Sequence, residues 1–346
     1  MRAAVFFEHG SSDKLQISEI ELPPLKANEV KIGVKAFALN RLDIFTRNGH
    51  PSLKLPLPHV GASDYSGIII EVGENVENFK IGDRVLVNAG LSCKVCTSCL
   101  SGENSECDKF SMIGEHHWGG AAEYAQVPIT NVLKIPDFIE FVDAAASSLT
   151  TLTAYRMLHT RAKIKNDELI LIIGASGGVG TMGIQIAKLS NATIIAITST
   201  DEKLEKLQKL GVDHVINYRE FPNWSKEVYN LSKSMGRKGV DIVLDSVGEA
   251  VFEQAIRSLR KGGRYVTCGA TSGTSGRINL ALLFWKQLTI MGSTMASDSE
   301  FKDALQLLFD NKIKPVIDKV YNFEEIKDAH DRLESGNHFG KIVLTI

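Results

Sequence analysis

Residues 168–188 read ELILIIGASGGVGTMGIQIAK, and this stretch decides the fold. Leu169, Ile170, Leu171, Ile172 and Ile173 form an unbroken apolar run, the pattern of a strand covered on both faces, as in a parallel sheet. Small residues follow: Gly174, Ala175, Ser176, Gly177, Gly178, Val179 and Gly180. Ile184, Ala187 and Lys188 then continue at helical spacing. Strand, glycine-rich turn and helix in that order make a dinucleotide-binding unit. The helix N-terminus offers unpaired N–H groups and a positive dipole end to a pyrophosphate. Gly177 and Gly180 hold the second and third glycine positions of the fingerprint. Ala175 stands at the first, which requires a negative φ there.

Outward from this unit the pattern continues as strand–helix alternation. Strands are expected at 193–197, 214–217, 240–244, 264–268 and 287–291, and helices at 178–189, 201–210, 224–234 and 250–259. Such alternation implies a doubly wound parallel sheet. A helix over 143–161 precedes it. The N-terminal part instead shows short strands at 3–7, 15–21, 29–38, 67–73, 83–87, 122–127 and 132–135, with a short helix at 40–48. It reads as an irregular β-barrel with a long loop, 88–118. Helices at 299–310 and 323–334 and a strand at 341–346 end the chain. The expected layout is a barrel domain from 1–150 and 292–346, with a nucleotide domain at 151–291.

The chain has 346 residues, 44% hydrophobic and 23% charged, enough for two globular domains. A net charge of −2 gives no reason to expect nucleic acid or an anionic membrane as partner, and no apolar run reaches the length of a membrane span. The start, MRAAVFFEHG, lacks a signal-peptide cleavage site, so a cytoplasmic location is expected. Four of the five cysteines, Cys93, Cys96, Cys99 and Cys107, are spaced C-x2-C-x2-C-x7-C. Four thiolates on one loop can close a tetrahedron around zinc with no open position, which describes a structural site. An iron–sulfur cluster fits less well, because the last gap is wide and the Cys-Pro of the ferredoxin run is missing. Cys268, at the end of an apolar strand, is expected to be a buried thiol.

Over its whole length the sequence resembles the medium-chain dehydrogenase/reductase family. The resemblance rests on Gly67-Ile-Ile-Ile-Glu-Val-Gly73, Gly82-Asp83-Arg84-Val85, the cysteine lobe, Thr153-Ala154-Tyr155, the Ala175 to Gly180 turn, Asp245-Ser-Val-Gly248 and Gly340-Lys341. It implies an α/β protein: a GroES-like barrel plus a Rossmann domain, an active site in the cleft between them, and a structural zinc on the four cysteines. It also places Thr153 among the cofactor-binding positions.

Zinc alcohol dehydrogenases of this family hold a catalytic zinc with Cys, His–Glu and a further Cys or Asp. The aligned positions here are Asn40, Ser63–Asp64 and about Leu149, and the relay hydroxyl is replaced by Leu42. Leucine cannot bind zinc, and Asn and Ser are poor ligands beside thiolate and imidazole. Oxidation of an unactivated alcohol needs that metal to lower the alcohol pKa. Asn40-x-x-Asp43 instead resembles the quinone oxidoreductase branch, which transfers hydride from NADPH to quinones and other conjugated acceptors. There a hydrogen-bond donor can replace a Lewis acid. Asn40 is expected to be a polar group near the nicotinamide, with Asp43 orienting it or bonding the backbone. A helix N-cap is the other reading of Asn40. A substitute metal site would draw on His50, His59, His116, His117, Asp64 and Glu115. Otherwise His116, His117 and Trp118 are expected to shape a substrate pocket, with His59 structural.

An NAD enzyme usually places an acid at the end of the second strand. The aligned residue is Thr198, followed by Ser199, with Lys203 close enough to supply charge to a 2′-phosphate. Lys203 reads equally as an exposed helix residue. Tyr218 matches a tyrosine that contacts the 2′-phosphate in the quinone oxidoreductase branch. NADPH is therefore expected over NADH. Val247, Gly269 and Ala270 are expected to give backbone contacts to the nicotinamide half, and by family analogy Lys341 approaches a phosphate.

The expected activity is NADPH-dependent hydride transfer to quinones, enones or other activated double bonds, by Asn40, Asp43 and Ser63, with one structural zinc and no catalytic zinc. A zinc alcohol dehydrogenase with substitute ligands and an NADPH-binding protein without turnover are the alternatives. The partners expected are a small-molecule substrate and further copies of the chain, as homodimer or homotetramer. The apolar stretch LALLFWKQLTIM, residues 280–291, is the expected pairing edge.

Overall fold

The computed structural model of the protein describes residues 1–49 and 54–346. The chain divides into two compact units, Met1–Leu149 with Ala296–Ile346, and Thr150–Met295.

The first unit opens with β1 (Arg2–Phe6), β2 (Leu15–Glu19) and β3 (Glu29–Leu39), then α1 (Arg41–Asn48). Next come β4 (His59–Val60), β5 (Asp64–Val72), β6 (Arg84–Val87), β7 (Gly90–Leu91), α2 (Thr97–Leu100), β8 (Ser111–Met112), β9 (Tyr124–Pro128) and β10 (Val132–Lys134). In β3 the alternation Val30, Ile32, Val34 buries one face, and its last four residues are buried on both. This long strand organises the unit because it pairs with β5 and β9 along its length. α3 (Phe141–Tyr155) leads into the second unit. The expected helix over 143–161 divides there: residues 156–161 take the wider π-helical winding.

The second unit contains β11 (Leu169–Ile173), α4 (Gly178–Lys188), β12 (Thr193–Thr198), α5 (Asp201–Lys209), β13 (His214–Asn217) and α6 (Trp224–Ser234). It continues with β14 (Val240–Asp245), α7 (Glu249–Ser258), β15 (Leu259–Thr267), α8 (Leu280–Lys286) and β16 (Thr289–Gly292). Its six strands are all parallel, in the order β13-β12-β11-β14-β15-β16. All five residues of β11 are buried, as a central parallel strand requires. The 280–291 stretch is not one strand. Its first seven residues wind into α8, capped by Asn279 and ended by Gln287 in the left-handed region at φ 52°. Only then does edge strand β16 begin.

The chain re-enters the first unit through α9 (Asp298–Phe309), β17 (Ile317–Asn322), α10 (Ile326–Glu334) and β18 (Lys341–Thr345). Ser297 and Glu300 form a capping box that starts α9. β18 pairs antiparallel with the end of β3, Ile342 opposite Leu39, so the C-terminal strand lies against the entry to α1.

Candidate functional site

The β11–α4 turn has the geometry its glycines imply. Gly174 carries the positive φ, +74°, and a Cβ there would lie 2.3 Å from Ser246 Oγ. Ala175 is buried and outside the positive-φ region, so it fits the first fingerprint position without strain. Gly177 is the N-cap of α4. A Cβ on Gly180 would lie 2.3 Å from Gly174 O and 2.6 Å from Ala175 Cα, so only glycine lets the helix sit this close to the turn. Ser176, Gly178 and Val179 are partly exposed. The first turn of α4 contains no acid, leaving its dipole uncompensated for an anion.

Thr198, Ser199, Lys203 and Tyr218 gather at one corner of this sheet. Thr198 pairs with Asn217, and the Tyr218 N–H donates to Thr198 O at 2.9 Å. Thr200 caps α5 by accepting the Lys203 N–H. Thr198 Oγ1 is buried without a protein partner, and Tyr218 is exposed. Thr153 is buried on α3. The loops after β14 and β15 carry Val247, Gly269 and Ala270 at the carboxyl edge, where open parallel sheets bind ligands. Cys268, just past β15, is partly exposed as a residue. Its thiol is pushed up to about 12 by burial and by the Asp245 charge, consistent with an inert thiol.

The four lobe cysteines converge so that their sulfurs lie within 4.8 Å of one another. Cys93 Sγ and Cys99 Sγ are 3.9 Å apart. A tetrahedron with Zn–S bonds of about 2.3 Å has edges of about 3.8 Å, so the donor set fits zinc. The Cys96 N–H points at Cys93 Sγ, and the Cys93 and Lys109 N–H groups point at Cys107 Sγ; backbone N–H groups, that of Cys96 among them, hold the Cys93 thiol down to about 6. Lys94 ties the lobe to the start of α9 through Asp298 at 2.6 Å.

The remaining candidates meet at a buried carboxylate, Asp64. Its Oδ2 accepts from Asn40 Nδ2 and Lys341 Nζ, both at 2.9 Å, and its Oδ1 accepts the Leu149 N–H at 2.7 Å. Lys341 Nζ also donates to Asn40 Oδ1 at 2.6 Å and Leu39 O at 2.8 Å. The lysine thus fixes which end of the Asn40 amide is oxygen. It also corrects the expectation that Lys341 serves a cofactor phosphate: all three of its N–H groups have acceptors inside the first unit. Asp43 is buried beneath this cluster. Its carboxylate accepts the Asn40 N–H and the Ala62 N–H, each at 2.7 Å, joining the start of α1 to the turn that carries Ser63. Burial pushes its carboxyl up to about 6, against the pull of those two N–H groups and Lys341. Asn40 is the N-cap residue of α1, where it forms a capping box with Asp43, and its Nδ2 also serves the cluster by donating to Asp64. Ser63 is fully buried and its Oγ has no protein partner.

The histidines are elsewhere. His59 is buried and donates Nε2–H to Gly114 O at 3.2 Å, and burial lowers it to about 4, a structural role. His116, His117 and Trp118 line a groove of about 530 Å³ with Leu22, Pro23 and Tyr124. Its walls include none of Asn40, Asp43, Ser63, Asp64 and Lys341, so this groove is separate from the Asp64 cluster. His50 lies outside the described residues. Among the described residues, His59, His116, His117, Asp64 and Glu115 do not gather into a group of metal-ligand atoms as the cysteines do.

Sequence reasoning missed Lys341 as partner of Asp64. The available signal was an ionisable residue opening the apolar strand KIVLT, which must find a counter-charge once buried.

Comparison with known proteins agrees with this architecture. Residues 26–137 match the alcohol dehydrogenase GroES-like domain and residues 178–310 the zinc-binding dehydrogenase domain. The human quinone oxidoreductase is 31% identical over 354 residues, spanning 100% of this chain and 98% of that protein. An acryloyl-coenzyme A reductase of Metallosphaera sedula is 30% identical, over 97% of this chain and 98% of that one. The crystal structure of an NAD-dependent alcohol dehydrogenase has a TM-score of 0.95 at 40% identity, with 100% of both chains covered. With both domains matched and full-length relatives above 30% identity, the chain belongs to the medium-chain dehydrogenase/reductase family of zinc-type alcohol dehydrogenase-like oxidoreductases.

Proposed function

We propose that this protein is an NADPH-dependent reductase of quinones, enones or other activated double bonds, with one structural zinc per chain and no catalytic zinc. The Asp64 cluster carries the reading. At the positions where zinc enzymes of the family place their ligands, Asn40 and the Leu149 backbone are bonded to Asp64, and Lys341 supplies the positive charge. Such a site favours an acceptor that is already electrophilic. Bound at the Gly174 to Gly180 turn, the dinucleotide supplies the hydride. Asn40 orients the acceptor oxygen: one Nδ2–H is held by Asp64, and the other has no protein acceptor among the described residues. Thr198, Ser199, Lys203 and Tyr218 support NADPH over NADH, since no acid ends β12 to repel a 2′-phosphate. The names of the relatives, quinone oxidoreductase and acryloyl-CoA reductase, are in line with conjugated acceptors. We also propose that the protein assembles as a homodimer or homotetramer.

The alcohol dehydrogenase name of the 40%-identical crystal structure favours a second reading, oxidation of alcohols by a metal on substitute ligands. Metal content and activity decide between them. One tightly bound zinc, with quinone or enone reduction by NADPH, supports the first reading. Two zincs with robust oxidation of simple alcohols would replace it with the second.

A further inference from the structure

We propose that Asp245 and Tyr265 are positioning residues for the nicotinamide half of the cofactor, holding the loops after β14 and β15 in their receiving shape. This rests on the dinucleotide reading above. Asp245 ends β14 and is wholly buried. Its carboxylate has no cationic partner among the described residues and is met by neutral donors: the Val247 N–H at 2.8 Å, the Gly248 N–H at 3.1 Å and the Tyr265 hydroxyl at 2.5 Å. A carboxylate sealed from water without a counter-ion is costly, and here that cost is met only by the three donors that it holds in place. What it achieves here is to turn two successive backbone N–H groups inward, which Gly248 permits with φ +93°.

The constraint passes to the neighbouring loop. Ser272 donates both its N–H and its hydroxyl to Val247 O, each at 2.9 Å, and its Oγ accepts the Ala250 N–H at 3.0 Å. A Cβ on Gly269 would lie 2.7 Å from Ser246 O, so the two loops touch through backbone. Phe252 packs edge-on against the Tyr265 ring, with centroids 5.2 Å apart, and fixes the direction of the hydroxyl. Ring, carboxylate, loop and second loop form one chain of contacts ending at Val247 and Ala270.

The test compares two ligands by fluorescence titration: NADPH, and adenosine 2′,5′-bisphosphate, which has the adenine end and no nicotinamide. Tyr265→Phe should raise the Kd for NADPH about tenfold and leave the bisphosphate within about twofold. Ser272→Ala, at an exposed position, loosens the same loops without entering the core and should give a smaller loss of the same kind. It decides the matter should the tyrosine variant not fold. A merely structural role weakens both ligands alike or neither, and either result overturns the proposal. Wild-type protein that binds no nicotinamide dinucleotide overturns the cofactor reading and this proposal together. Wild-type binding with variants unchanged removes this proposal alone.

Discussion

Lys341 Nζ and Asp64 Oδ2 lie 2.9 Å apart, with both side chains sealed from solvent although the residues are 277 positions apart in sequence. The pair joins β18, the last strand of the chain, to the start of β5. Removing one partner strands a buried charge. Lys341→Met should therefore cost about 3–5 kcal/mol of unfolding free energy. The double variant Lys341→Met with Asp64→Leu should recover part of it, since no unpaired charge is left. Chemical denaturation of the two variants checks this; equal losses in both would mean that the stranded Asp64 charge is not what costs the stability.

Zinc removal is the second case. The lobe holds few buried apolar side chains of its own, so its order depends on the metal. Cys99→Ser should take the zinc content from one per chain to none and lower Tm by several degrees. Lys94 links the lobe to α9, so protection against hydrogen exchange should fall in residues 298–309 as well. Exchange unchanged there would show that the lobe melts alone.

The pH dependence follows from two buried histidines. His59 is lowered to about 4 and His330 to about 3, both by burial, from an ordinary 6.5. Each stays neutral in the folded protein while the unfolded chain takes up a proton below pH 6.5, so stability is full above that pH and falls as pH drops toward 4. Asp43, raised to about 6, works the other way between about 4 and 6, because its folded form binds the extra proton. Burial also lowers His117 and His159 and raises Asp143 and Asp245, so four histidines that lose stability on acidification stand against three carboxyls that gain it, and the net trend is loss on acidification. His330 accepts from Arg47 at Nδ1, and asparagine can keep that bond. His330→Asn should lose about 2 kcal/mol less than wild type between pH 6.5 and 5. Parallel urea curves at both pH values for the two proteins would refute this.

On the NADPH reading proposed above, cofactor preference would turn on one charge, Lys203, and one hydroxyl, Tyr218. Lys203→Ala and Tyr218→Phe should each raise KM for NADPH several-fold and leave NADH nearly unaffected, because only the former carries a 2′-phosphate. Steady-state kinetics with both dinucleotides measures the ratio. Equal effects on both would place these residues outside the phosphate site.

What could be read in advance was what lies close together along the chain. The β11 to α4 turn and the four cysteines fit within 21 and 15 residues, so spacing alone carried them. The Asp64 cluster draws on residues 40, 64, 149 and 341, and its bonds depend on the register of β18 against β3, which no local pattern encodes. Lys341 was consequently assigned to a phosphate by analogy. The strand expected at 287–291 is β16, but the stretch before it, 280–286, is α8: a seven-residue helix with apolar residues on every side shows no period that would set it apart from a strand edge.

That same stretch carries the last prediction. Leu280, Phe284 and Trp285 are 67%, 70% and 68% exposed, and β16 pairs with β15 on one side only. An apolar helix face beside an open strand edge, in a domain with a well-filled core, is the surface a second copy would cover. Light scattering should give at least twice the chain mass. Ile290→Lys puts a charge on the edge strand, and Trp285→Glu puts one on the helix face. Each should shift the protein toward monomer, with its circular dichroism unchanged. The lysine variant separates strand pairing from simple hydrophobic contact: if β16 meets its copy edge to edge, Ile290→Lys dissociates the assembly at least as well as Trp285→Glu. If only the helix variant acts, α8 alone forms the contact. A wild-type monomer at micromolar concentration would refute assembly through this edge altogether.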